Sequence, residues 1–476
     1  MSTERTGRRT GRNPDRRPVT RRFHRRYLAV VLVLALVAAV AAVVGSQQGP
    51  RLRDVSYDAS GLVSRPAQRV ILTANQALQR VSAADVRVSP AAAHTVTSSG
   101  NTIAVEFAGP LAYDRDYTVT VVNVRAPGQR ATSDLTASIR TGSTDVLALV
   151  PGADGAEDRI VRRELDAGGA TTVYQGADIS EYARLGRSLV VVSGSDARSS
   201  VDVVPLSGGV EDEDAPVEHL TLPSPQGRVT ALHVADDGAS FGFEYADTST
   251  GQSRNTGLYV VDMTGTHMPT AIAANGKATT GAVPMTVGQW AYVPRTESAL
   301  VRTGSDDLVL VDMSGRAEPV RLGSATYLHG FVGTGTTAVV ETGTGIVRLD
   351  LTDGSKSALQ APAASTDAAV LGRIAQLSDD TYLRVLGDVL PSGTISARIV
   401  RVEGSRASRL AVSIPDDASV RAVCPSPNGQ FVAVATKSAT DELVSIVDAT
   451  SGALEASIDA GSVDWCGALP SGDEIG

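Results

Sequence analysis

From about residue 144 onward the chain alternates short aliphatic runs with Gly-, Asp- and Pro-containing breaks, the signature of strands joined by tight turns. Seven stretches share one form: two β-branched or aliphatic residues flank a third position, and an acid usually follows. They are Ile160-Val-Arg-Arg-Glu164, Val201-Asp-Val-Val-Pro205, Leu258-Tyr-Val-Val-Asp262, Leu308-Val-Leu-Val-Asp312, Ile346-Val-Arg-Leu-Asp350, Ile399-Val-Arg-Val-Glu403 and Val444-Ser-Ile-Val-Asp448. Most run into a turn such as Met263-Thr-Gly265, Met313-Ser-Gly315, Thr352-Asp-Gly354 or Thr450-Ser-Gly452. Their spacing averages roughly 48 residues, the length of a four-stranded propeller blade. The pattern predicts seven blades over residues 143–476. Buried second strands are read at Leu189-Val-Val-Val192, Ser240-Phe-Gly-Phe-Glu-Tyr245, Ala338-Val-Val-Glu341 and Phe431-Val-Ala-Val-Ala435.

The two ends of this block are complementary. It opens on Asp145-Val-Leu-Ala-Leu-Val150 with no inner strand before it, and closes on Ser462-Val-Asp-Trp-Cys-Gly-Ala-Leu-Pro-Ser-Gly472 with no successor. Together they predict one composite blade, so that a C-terminal strand closes the ring and removes open sheet edges.

Residues 55–142 show a second alternating block, with candidate strands at Arg69-Val-Ile-Leu-Thr73, Val86-Arg-Val88, Thr102-Ile-Ala-Val-Glu-Phe107, Tyr117-Thr-Val-Thr-Val-Val122 and Leu135-Thr-Ala-Ser-Ile139. Strands at this spacing over about 90 residues argue for a small β-sandwich. The run from Asn101 through Phe107, Pro110-Leu111 and Tyr117 resembles the bacterial Ig-like domain of the SbsA type. That resemblance implies a spacer or display module, with Leu111 and Tyr117 packed at a corner. The Pro427-Asn-Gly429 turn resembles the corner of TolB-type and WD40-like propellers, a likeness of pattern without the family dipeptides. The fold class expected is all-β: an Ig-like β-sandwich plus a seven-bladed β-propeller, with one N-terminal transmembrane helix.

Charge changes the picture at the N-terminus. Residues 1–26 carry ten arginines against Glu4 and Asp15, so a net −9 chain has a tail of +8 and a remainder near −17. Eighteen uncharged apolar residues follow at 27–44. As a helix they would span about 27 Å, close to the ~30 Å hydrocarbon core. The positive-inside rule then predicts a cytoplasmic tail (1–26), a membrane helix (27–45), a linker (46–54) and the bulk outside the cytoplasm. The competing reading is a cleaved signal peptide, since Ala39-Val-Ala41 has the small-x-small form.

Candidate chemistry is thin. Cys424 and Cys466 are the two cysteines. Both fall in inner strands of neighbouring blades, and an exported pair favours a disulfide over two buried thiols. The six histidines have no metal-ligand spacing, and no nucleophile elbow, His-Glu-x-x-His or phosphate loop occurs. No cofactor is expected. Glu211-Asp-Glu-Asp214 reads as a solvated loop, and Asp262, Asp312, Asp350 and Asp448 as turn caps rather than a ring of ligands. Trp290 and Trp465 are assigned to core packing ahead of a glycan-stacking surface. An acidic exterior excludes nucleic acid as a partner. The function expected is a non-enzymatic protein displaying a propeller at the cell envelope to bind a protein or glycan, through loops 207–216, 246–256 and 387–394. The alternative is an exported propeller hydrolase or lyase with a site at the mouth of the central channel.

Overall fold

The structure, a computed structural model, describes residues 19–46, 49–165, 169–195, 197–206, 216–249, 255–279, 281–359, 369–389, 395–415 and 417–467. An α-helix covers Val19–Ser46. Its described side chains from Tyr27 to Val37 include Leu28, Leu32, Leu34 and Leu36, all well exposed on every side of the helix. Among the described residues no helix is long and apolar enough to cross a membrane. The apolar run 27–44 extends beyond the last side chain described there, Ala38.

The chain divides into two compact units, the helix counted with the first. The first comprises residues 1–57, 69–106 and 117–139. It holds two antiparallel sheets. One has the order Leu52–Ser56, Arg69–Ala74, Thr102–Phe107, His94–Ser99; the other has Val86–Ser89, Asp116–Arg125, Thr132–Arg140. Alternation explains both: Val70, Leu72 and Ala74, Ile103 and Val105, and Val119 and Val121 are buried while their neighbours are not. Strand Leu52–Ser56 begins inside the segment read as linker 46–54, because Val55 pairs opposite Leu72.

The second unit comprises residues 58–68, 107–116 and 140–476, so the block 55–142 is not one unit from end to end. Residues 107–116 belong here because Tyr113 stacks on Phe431 at 5.8 Å, and the Asn428 amide donates to the Leu111 carbonyl at 2.9 Å.

Among the described residues the second unit contains seven four-stranded antiparallel sheets. We number them as blades 1 to 7 in chain order. Blade 1 is composite: Ser462–Val463 pairs with Asp145–Val150, which is followed by Asp158–Glu164 and Ala170–Gly176. Blades 2 to 7 follow at 179–219, 227–271, 287–324, 327–358, 369–409 and 419–458. Each of the seven repeated sequence stretches lies in the third strand of its blade.

The inner strands touch in succession: Ile179–Leu185, Gly227–Val234, Val287–Tyr292, Tyr327–Phe331, Ala369–Gln376, Ser419–Pro425 and then the short 3-10 turn Asp464–Cys466, which returns to Ile179–Leu185. That closed succession is a propeller ring.

The core lies between blades rather than at one centre. Seven apolar clusters fill the seven blade junctions, from Leu147, Ile160 and Leu189 between blades 1 and 2 round to Val146, Ala433 and Val444 between blades 7 and 1. The second strands are buried on both faces, as at Leu189-Val190-Val191-Val192. This is why they read as unbroken aliphatic runs. Each fully buried Val or Leu contributes about 1.5–3 kcal/mol of transfer free energy, so the junctions dominate the stability of the ring.

Candidate functional site

The inner ring carries polar side chains that bond main-chain groups of neighbouring strands, and its backbone explains them. Each inner strand of blades 2 to 7 slips register against its second strand: at Ile179/Glu181, Thr230/His233, Val287/Gln289, Leu328/Gly330, Leu371/Ala375 and Val420/Ala422. A β-bulge leaves a main-chain N–H without a ladder partner, and burying it unbonded would cost about 1–3 kcal/mol.

The preceding blade supplies the acceptor. Glu181 of blade 2 accepts the N–H groups of Ala231 and Leu232 of blade 3, at 3.0 and 2.7 Å. Gln289 of blade 4 accepts the Leu328 N–H of blade 5 at 2.9 Å. His329 Nδ1 of blade 5 accepts the Ile374 N–H of blade 6 at 3.1 Å, which fixes its proton on Nε2. Burial pushes the Glu181 carboxyl upward, although the Leu232 and Ala231 donors and Arg228 pull the other way.

Other junctions use different devices. Between blades 3 and 4, Trp290 meets His233 edge to face at 4.7 Å and Tyr292 at 5.5 Å. Between blades 7 and 1, Cys424 and Cys466 form a disulfide with Cα atoms 5.0 Å apart.

At the closure of blade 1 onto blade 2, Asp464 accepts the Leu147 N–H at 3.0 Å and pairs with Arg184 Nε at 3.1 Å. Arg184 in turn reaches Asp145 at 3.0 Å, whose second oxygen meets Arg162 at 3.2 Å. Tyr182 donates to the Leu147 carbonyl at 2.8 Å and sits 3.2 Å from the Ser462 carbonyl. Burial pushes Asp464 up to about 6, with Arg184 and the Leu147 N–H acting against it. Burial also opposes the charge on Arg184, but Asp464 and Asp145 outweigh it and hold the guanidinium above its ordinary value.

The inner strands carry Glu181, Arg184, His233, Gln289 and His329. The bulges are the reason: where blades converge, freed main-chain donors require side-chain acceptors. No sequence spacing reveals this, because each junction meets the need with a different residue type.

The other candidates resolve plainly. Asp262, Asp312, Asp350 and Asp448 cap their own turns, each accepting the N–H and hydroxyl of a Thr or Ser just beyond it. Trp290 is buried in the junction of blades 3 and 4, and Trp465 packs against that of blades 7 and 1. Among the described residues no group of three or more His, Cys, Asp or Glu could hold a metal ion. Glu211 to Asp214 lie outside the described residues, as do 207–215, 250–254 and 390–394 of the three candidate contact loops.

No protein-family model matches the chain, and no curated protein matches it. Among solved structures, it is similar to the periplasmic gluconolactonase of Pseudomonas aeruginosa (15% identity, TM-score 0.40, covering 67% of this chain and 97% of that one). A putative 6-phosphogluconolactonase from Bacteroides fragilis shows 14% identity and a TM-score of 0.41, covering 67% and 96%. A putative TolB from Agrobacterium tumefaciens shows 14% identity and a TM-score of 0.32, covering 67% and 91%.

Proposed function

We propose that this chain is a membrane-anchored, extracytoplasmic binding protein: an N-terminal helix over 27–45, an SbsA-type Ig-like spacer and a propeller that engages an envelope protein or glycan without catalysis. One observation carries the non-catalytic reading. The buried carboxylates, amide and imidazole of the inner ring already accept main-chain N–H groups from a neighbouring strand. They act as scaffold, which leaves recognition to the loops joining the strands. A hydrolase or lyase needs such groups free to meet a reacting bond.

Two further observations support the rest. A helix apolar on every side and exposed along it fits lipid better than a protein core. Seven strands in two antiparallel sheets, each with one buried face, suit an Ig-like spacer.

The test is cross-linking of the full chain in its native membrane, with partners identified by mass spectrometry. A reproducible envelope partner of the wild type should disappear on deletion of residues 144–476. Retention of the partner without the propeller, or turnover of a small ester or glycoside by the intact chain, would refute the reading.

A further inference from the structure

Blade 2 ends in a very short outer strand, Glu218–His219, held to its blade by two ladder pairs, Asp202 with His219 and Val203 with Glu218. So short a ladder stabilises little by itself. Each of its residues adds an imidazole–carboxylate pair, and the two pairs answer differently to pH.

His219 turns toward its own blade. Its Nδ1 lies 2.7 Å from one oxygen of the buried Asp202, whose other oxygen accepts the Tyr174 hydroxyl of blade 1 at 3.3 Å. That bond needs one N–H, which a neutral imidazole supplies as well as a charged one.

Glu218 reaches across to blade 3. His267, in the turn between Gly257–Asp262 and Thr270–Ala271, places Nδ1 2.8 and 3.0 Å from the two Glu218 oxygens and Nε2 2.8 Å from the Met263 carbonyl. A carboxylate and a carbonyl only accept, so both ring nitrogens must carry a proton. A neutral ring has one N–H and must give up one of the two partners. The backbone adds a second constraint. His267 has φ 55°, in the left-handed region that a residue with a side chain enters at a cost. The bond from Nε2 to Met263 closes across that turn and holds it.

We propose that the Glu218–His267 pair is a pH-sensitive tie, which fastens the outer strand of blade 2 to blade 3 while the imidazole carries two protons and loosens it when one is lost. The charges around the ring agree. The Glu218 carboxylate and then the Met263 carbonyl hold the imidazole above its ordinary value, with burial opposing and Asp262 adding its negative charge. Asp262 is bonded to Thr264 and feels Arg316 of blade 4, itself 3.9 Å from Glu297. With a raised folded-state value, the tie is fully present below the unfolded value of ~6.5 and is lost as the pH rises through the folded one. Other ties at the outer rim use cations that keep their charge: Lys356 donates to the Leu322 carbonyl and Arg163 to the Ser457 carbonyl, each at 3.0 Å. The release is local, because Leu220 and Leu222 pack against the cluster between blades 2 and 3 just beyond the strand.

The test is histidine-selective nitrogen NMR on the full chain from about pH 5 to about pH 9, with hydrogen exchange read by mass spectrometry over the same range. His267→Asn assigns the resonance among the six histidines. His267 should hold both protons well above the ordinary titration of a histidine, and Glu218→Gln should lower its midpoint. Protection of residues 201–203 and 218–220, corrected for intrinsic exchange, should fall about tenfold through that titration, as for loss of one charge-assisted hydrogen bond. Asparagine tolerates the left-handed backbone but has no charge to lose, so His267→Asn should show reduced protection that no longer depends on pH. Three results would overturn the proposal: a His267 nitrogen already unprotonated at about pH 6, outer-strand protection indifferent to its titration, or the wild-type pH dependence persisting in His267→Asn.

Discussion

Asp464 sits where burial and charge compete. Its carboxyl is enclosed at the ring closure, bonded to Arg184 and to the Leu147 N–H, and pushed up to about 6. An unfolded aspartate titrates near ~3.9, so folding takes up a proton between about pH 4 and 6. With a raised folded-state value, the contribution of this group is fully present below about pH 4 and is lost as the pH rises through about 6. Glu181 and Glu244, also raised by burial, act in the same direction. The turn carboxylates Asp262 and Asp448 are held below their ordinary values, so their contribution is lost only in stronger acid. The melting temperature should therefore hold or rise from pH 7 to 5 and fall below about pH 4, and Asp464→Asn should flatten the slope between pH 4 and 6. A melting temperature that falls steadily from pH 7 to 5 in the wild type would contradict this. At the neighbouring junction the Cys424–Cys466 bond closes a 42-residue separation. Replacing both cysteines by serine should lower unfolding free energy by about 4 kcal/mol on the chain-entropy account, read from denaturant midpoints at constant slope.

At the scale of elements, the third strand and its turn form the repeating unit. Asp312 shows why: burial raises its carboxyl, but donors from Ser314, Ala317 and Arg316 outweigh that and hold it low, locking the turn that follows the strand. Asp312→Ala should cost about 1 kcal/mol, since several partly exposed bonds are lost together with no cavity formed; a thermal shift beyond that of Leu147→Ala (about 2–5 kcal/mol) would show that the turn does more than cap. Second and third strands were legible in the sequence because burial makes them aliphatic and the turn adds an acid at a fixed place. Inner strands were less so. The bulges break their alternation, so Val287–Tyr292 and Tyr327–Phe331 carry no clean period and their polar residues look incidental. In the first unit, Arg69–Ala74 and Thr102–Phe107 announce themselves by alternation. His94–Ser99 does not, since none of its residues is buried. The composite blade was readable from the mismatch of its two ends, and the disulfide from two cysteines in neighbouring blades, although only Cys424 lies in an inner strand and Cys466 falls in the 3-10 turn that follows one.

For the molecule as a whole, closure matters more than any single blade. The inner strand of blade 1 is only Ser462–Val463, yet it completes the cluster of Val146, Ala433, Val444 and Cys466 between blades 7 and 1. A chain ending at residue 461 would open the ring, expose that cluster and leave Asp145–Val150 unpaired on one side. It should bind a hydrophobic dye and aggregate, while truncation at 470 should leave unfolding cooperative. The ring so closed is, on the account given, a scaffold whose axis holds blades together and whose loops meet the partner. The most direct test compares one captured partner's affinity for the wild type, for Glu181→Gln and for a chain with loop 246–256 shortened. The account predicts that Glu181→Gln lowers stability and leaves Kd within about threefold, whereas the shortened loop weakens binding. Loss of binding on Glu181→Gln with the fold intact, or substrate turnover that this change abolishes, would place the working site at the axis and contradict it.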